Sequence, residues 1–216
     1  MRLGRGATWL GLALVWAGYW APWIAHRAAA LNLNGYELAE WITFLPGVRD
    51  GSLRLSRFDF LAPLSAIVIL TALAAATPGL SSWVRWPARA VGLLGAIAIL
   101  PEYPFILSAP TDPELRPTLI LGIVTIAAVL LSSVPLAAHS QPSVVRSAQW
   151  RGVALGLLAA VALGFTARAL VTVWHSLAVL FDAPPRLNWG PIALAVGSIS
   201  IGLGALDGLR RKARST

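Results

Sequence analysis

The sequence predicts an all-α membrane protein, a six-transmembrane-helix bundle with both ends in the cytoplasm and a short amphipathic helix in its first outer loop. Three observations carry this expectation. Of 216 residues, 57% are hydrophobic and only 12% charged; a soluble domain carries about 25% charged residues. The apolar residues gather into six long runs. The basic residues collect between alternate runs.

The runs set the elements of one integral membrane domain, residues 1–216. A helix rises ~1.5 Å per residue, so about 20 apolar residues cross a hydrocarbon core of ~30 Å. Residues 6–25, 60–80 and 117–138 are uncharged runs of that kind, and residues 187–206 form another, rich in Gly and Ser. Two further runs carry one charge each: residues 90–109 contain Glu102, and residues 152–181 contain Arg168. Backbone groups in lipid need internal partners, so each run is read as a helix. Arg2, Arg5, the first run and Ala28-Ala29-Ala30 also resemble a signal peptide. The run exceeds the usual apolar region of ~7–15 residues, which favours an uncleaved helix.

Charge orients the bundle. With the N-terminus inside, ten basic residues and Asp207 fall in cytoplasmic segments, against six basic residues and seven acids outside. That bias favours both termini in the cytoplasm. The net charge of +8 is therefore topological. The arginines are scattered between apolar runs and form no stripe, which argues against a nucleic-acid partner. Arg210–Arg214 serves as a stop signal or touches anionic lipid. The basic residues are arginine except Lys212, and Ala is abundant, a composition that points to a bacterial inner membrane. Cysteine is absent, which removes disulfides and thiolate metal sites.

The first outer loop, residues 26–59, is long beside the other connections and suggests a task. Asn34 and Glu37 stand at capping-box spacing, predicting a helix over 36–45 that ends at Pro46-Gly47. Tyr36, Trp41, Phe44 and Leu45 form its expected apolar side, with Glu37 and Glu40 more polar. Such a helix lies on the membrane surface or caps the bundle; an ordinary surface loop with aromatic anchors is the alternative.

Small residues mark packing faces: Ala13, Ala17 and Ala21 on the first helix, Gly152 and Gly156 on the fifth, Gly204 and Gly208 at the end of the sixth. Residues 86–98 align with 150–162, and Pro78 falls on Pro142 at the same offset, suggesting a parallel repeat of helices two and three in helices four and five. Chance resemblance of Ala/Leu/Gly-rich helices is the alternative. Six helices in 216 residues, the Ala13/Ala17/Ala21 face and the long first outer loop together resemble the substrate-binding subunits of energy-coupling-factor vitamin transporters. The resemblance covers topology and one packing pattern, without a vitamin-site signature.

Polar residues in the runs are candidate functional groups. Counted from the cytoplasmic ends of their runs, Glu102 and Arg168 lie about 18 and 24 Å deep. Charges within a membrane are costly unless partnered, so we expect a Glu102–Arg168 ion pair, with separate snorkelling to the headgroups as the alternative. Pro101 and Pro104 flank Glu102 and predict a kink or break there. Trp83, Trp86, Trp150, Trp23 and Trp189 fit interfacial belts. Trp16, Trp20 and Trp174 are candidates for lining a pocket, with His175 and His26 nearby; ordinary packing is the alternative. No cofactor is predicted. His26 or His175 would suit a haem or chlorophyll-type ligand or a proton relay, but no motif accompanies them. Gly197-Ser198-Ile199-Ser200 superficially resembles an intramembrane serine hydrolase, without an oxyanion site.

No catalytic, metal or nucleotide motif stands out. The expected function is a non-catalytic multi-pass subunit of a larger membrane assembly, of the transport or energy-transducing kind, with the bilayer and other membrane subunits as partners. The alternatives are a small-molecule transporter or substrate-binding permease component with an outward-facing site near Glu102 and Arg168, and an intramembrane lipid-modifying enzyme using Glu102 or His175 as acid or base.

Overall fold

The computed structural model describes residues 2–26, 31–77, 79–133, 142–180 and 182–213. Among them are eight α-helices: α1 (Arg2–Trp20), α2 (Gly35–Trp41), α3 (Pro46–Arg49), α4 (Arg57–Ala75), α5 (Ser82–Ala98), α6 (Arg116–Ser133), α7 (Pro142–Leu180) and α8 (Trp189–Ala213). Three short strands, β1 (Ile24–His26), β2 (Leu31–Leu33) and β3 (Arg186–Leu187), form an antiparallel sheet in the order β2-β1-β3. The all-α expectation is corrected by this sheet. Ile24 pairs with Leu33 on one side and Leu187 on the other, joining the first loop to the α7–α8 connection.

Among the described residues three helices, not six, are long and apolar enough to cross a membrane: α4, α7 over Trp150–Leu180, and α8 over Trp189–Asp207. The difference lies in where helix replaces apolar run. The run at 6–25 leaves helix at Trp20 and becomes strand, and α1 carries Arg2 and Arg5 at its start. The run at 90–109 breaks after Ala98, leaving α5 with 17 residues that include Arg85 and Arg89. The apolar part of α6, Arg116–Ser132, is shorter than the other three spans. Residues 134–138 of the predicted fourth span lie outside the described residues. The fifth span is longer than expected, because α7 begins at Pro142 and runs for 39 residues, about 58 Å.

α4 is the centre of the bundle. Within its span 83% of residues are buried, and α1, α2, α5, α6 and α7 all pack on it. Ser65 and Thr125, both buried, share a 2.6 Å hydrogen bond between α4 and α6. The outward faces are apolar, with Leu94, Leu131, Leu157 and Leu203 all exposed. An apolar surface of this extent suits lipid or other protein.

α1 and α8 run antiparallel and touch through glycines spaced by seven. A Cβ on Gly4 would lie 3.5 Å from the Gly204 carbonyl, one on Gly11 2.7 Å from the Gly197 carbonyl, and one on Gly18 2.7 Å from the Gly190 carbonyl. Absence of side chains brings the two backbones together over the length of α1. The contact also places both termini at one end of the bundle. The expected Ala face differs: Ala13 and Ala17 are exposed, and only Ala21 is buried. Gly156 faces open space, and the side chain position of Gly208 lies outside the described residues.

The suggested repeat does not extend to packing. α4 lies along α5, whereas α6 packs on α4 and α5 and has no comparable contact with α7. Helices matched by sequence thus occupy different places, one central and one peripheral.

Candidate functional site

The end of the bundle carrying α2, α3 and the sheet, here the capped end, gathers most of the polar candidates. Its local structure is written in two capping boxes. Asn34 Oδ1 accepts from the Glu37 amide and Glu37 Oε2 from the Asn34 amide, both at 2.9 Å. They start α2, which passes into a 3-10 turn over Ile42–Phe44 and then α3. Asp59 Oδ2 accepts from the Ser56 amide and hydroxyl at 2.9 and 3.1 Å, fixing the start of α4. A carboxylate there also suits the positive end of the helix dipole.

The segment at 35–45 caps the bundle. Leu38, Ala39, Ile42 and Leu45 are its buried residues, packed into the same core as Trp23 and Phe60. The expected apolar side is thereby corrected. Phe44 is 64% exposed, and its ring lies under the Arg49 guanidinium. Tyr36 and Trp41 are half-buried, and Glu37 is exposed. The helix turns between α1 and α4, which bury Leu38 and Ile42 and leave Phe44 outside.

The expected Glu102–Arg168 pair is not formed. Arg168 Nη1 lies 3.5 Å from Asp59 Oδ1, and among the described residues Glu102 makes no ion pair. Glu102 also lies outside any helix: α5 ends at Ala98, and Pro101 to Leu115 forms a connection at the capped end whose one regular piece is a 3-10 turn over Phe105–Leu107. The predicted break at the two prolines is therefore complete. Its effect is to lift Glu102 out of the helix into an exposed loop, where it requires no buried cation.

Glu102 instead acts on Glu40 and Tyr36. Glu40 is ion-paired to Arg57. Burial pushes the Glu40 carboxyl above the usual range, Arg57 opposes, and Glu102 adds to the rise. Burial also raises the Tyr36 phenol, helped by Glu40 and Glu102 and opposed by Arg57. Glu40, Arg57, Glu102 and Tyr36 thus form one electrostatic group. Asp59, Ser56 and Arg168 form a second, at an open depression of about 470 Å³ that Arg54 also lines. Asp59 and Arg57 stand out only once α2, α4 and α7 are assembled; the Ser56-x-x-Asp59 spacing was their local signal.

The remaining candidates separate. Trp16 donates from Nε1 to Thr71 Oγ1 at 2.8 Å and packs near Gly95, tying α1 to α4 and α5. Trp20 lies on the capped end, its ring 5.7 Å from that of Tyr36. Trp174 is half-buried on α7. His175 is exposed and lines another open depression of about 320 Å³, with Leu45, Pro46 and Val179. The His26 backbone pairs with Leu31, but its side chain lies outside the described residues. Trp23 leaves the expected interfacial belt: it is fully buried, with Nε1 donating to the Gly18 carbonyl at 2.9 Å. Gly197 is consumed by helix packing against Gly11, and Ser198 Oγ is buried without a hydrogen-bond partner among the described residues. No group of three or more His, Asp or Glu side chains positioned to hold a metal occurs among the described residues.

No family model, no curated protein and no solved structure matches this chain. The likeness to vitamin-transporter subunits rested on six spans and an alanine face; three candidate spans occur among the described residues, and two of the three alanines face outward.

Proposed function

We propose that this chain is a non-catalytic, multi-pass subunit of a larger assembly, of the transport or energy-transducing kind, in the inner membrane of a bacterium, with both termini in the cytoplasm. One observation carries the reading. α7 presents Gly152, Gly156, Ala160 and Gly164 at intervals of four. A Cβ on Gly156 or Gly164 would meet nothing within 4 Å, while Ala159, Ala162, Thr166, Ala169, Val173 and Leu177 of the same helix are buried. The small residues therefore point away from the bundle. In lipid there is no hydrophobic drive to bring helices together, and close backbone approach over such residues is what favours association. The excess of arginine at the ends of the chain supports the orientation.

The test is purification from native membranes in mild detergent. The chain should co-purify with another membrane protein at fixed stoichiometry. Gly156→Leu and Gly164→Leu should release it while its own melting temperature is unchanged. A lone wild-type chain in cross-linked native membranes would overturn the reading.

The Glu40–Arg57–Glu102 group favours a second reading, a permease component that binds a small molecule at the capped end. Under that reading the isolated chain binds a solute, and Glu102→Gln and Arg57→Gln abolish binding without releasing any partner.

A further inference from the structure

Two apolar segments share one length: α4 has 19 residues, as does Trp189–Asp207 of α8. Each covers about 28 Å, close to a hydrocarbon core. The apolar stretch of α7, Trp150–Leu180, is longer, and Arg168 stands within it. The Arg168–Asp59 contact fixes the upper end of this slab at the start of α4. Arg168 thus stands at the membrane boundary. The last three turns of α7 rise above it, beside Leu45, Pro46 and Gly47.

At that height lies the open depression between Arg54 and Arg168, about 470 Å³ in volume. Asp59 is buried at its wall and already takes two hydrogen bonds from Ser56. Only Nη1 of Arg168 approaches it, at 3.5 Å, and the Arg168 side chain is 61% exposed. Most Arg168 donors therefore remain directed outward. Arg54 is exposed and makes no side-chain hydrogen bond or ion pair among the described residues. One carboxylate against two guanidiniums leaves one positive charge. Next to Asp59 in sequence, the half-buried ring of Phe58 meets that of Phe165 edge to face, 5.9 Å apart, between α4 and α7. The arrangement sets a cationic depression beside an aromatic pair.

We propose that this depression seats the phosphodiester of a membrane phospholipid, gripped by Arg54 and Arg168, with the upper acyl chain against Phe58 and Phe165. Guanidiniums match phosphate oxygens with paired N–H donors, and a singly charged phosphodiester balances the site. The source is lipid because the depression opens beside Asp59, at the start of the 19-residue apolar span of α4, so an anion held there borders the hydrocarbon slab.

Native mass spectrometry of the full chain in neutral detergent tests this, with phosphatidylglycerol and inorganic phosphate titrated separately. One phosphatidylglycerol should bind in preference to further copies. Arg54→Gln and Arg168→Gln should each weaken it by about tenfold, the loss of one charge-assisted contact. Arg186→Gln, at the same end but outside the depression, should leave it unchanged. Arg54→Gln is informative even if Arg168→Gln disturbs folding, since Arg54 holds no structural partner. Equal binding by wild type and Arg54→Gln, or saturation by inorganic phosphate that displaces the lipid, would overturn the proposal.

Discussion

Arg168 Nη1 lies 3.5 Å from Asp59 Oδ1, joining two helices whose residues are far apart in the chain. Asp59 also closes the first turn of α4 through Ser56. One carboxylate thus starts the central helix and docks the long one. Asp59→Ala should destabilise the protein by about 1–2 kcal/mol, mainly through the lost cap. Arg168→Gln should cost about 0–1 kcal/mol, because its exposed side chain is screened by water. A double-mutant cycle on thermal unfolding in detergent should show coupling for Asp59 with Arg168 and none for Glu102 with Arg168.

The α1–α8 contact predicts opposite outcomes for two glycines on one helix. Gly18→Ala places its Cβ 2.5 Å from the Leu194 amide nitrogen and should lower stability by about 1–3 kcal/mol. Gly6→Ala meets nothing within 4 Å and should gain about 0.5–1 kcal/mol from helix propensity. Equal melting temperatures for the two variants would contradict close packing of α1 on α8.

Glu40 gives a signed pH dependence. Its folded carboxyl titrates above the ordinary value, first because of burial. Its protonated form is therefore favoured by folding. The stability it contributes is complete below the ordinary carboxylate value and is lost as pH rises through the raised one. Glu102→Gln should bring the Glu40 midpoint down, and Arg57→Gln should send it further up. Carbon-13 NMR of labelled Glu side chains reads both shifts, and movement in the wrong direction for either would refute the electrostatic grouping.

Trp16 tests packing against ligand binding. Trp16→Phe removes the bond to Thr71 and should cost about 0.5–1.5 kcal/mol. An unchanged melting temperature would indicate that the indole N–H is free for another task.

Local chemistry was readable along the chain. Asn34 and Glu37 cap a helix wherever they lie three apart before a helical segment, so the start of α2 followed from four residues. Pro101 and Pro104 signalled the break before Glu102, although the expected run of 90–109 extended past the observed helix end at Ala98. The apolar run at 152–181 marked most of α7 but not its start at Pro142. The glycines at 4, 11 and 18 and at 190, 197 and 204 were visible too, but a seven-residue spacing only gains meaning when a second helix supplies the matching row. The strands, of two or three residues, were too short to show a period of two.

The sequence by itself determined that this chain is apolar and mainly helical, where the α2 helix begins, and where the chain must break. These depend on backbone donors, caps and periodicity within a few residues. The tertiary structure decided that, among the described residues, three helices rather than six suit a membrane by length and composition, that Arg168 answers to Asp59, and that Glu102 joins Glu40. An ion pair depends on which helix ends arrive at the same height, and that is set by helix packing and loop geometry over the whole chain.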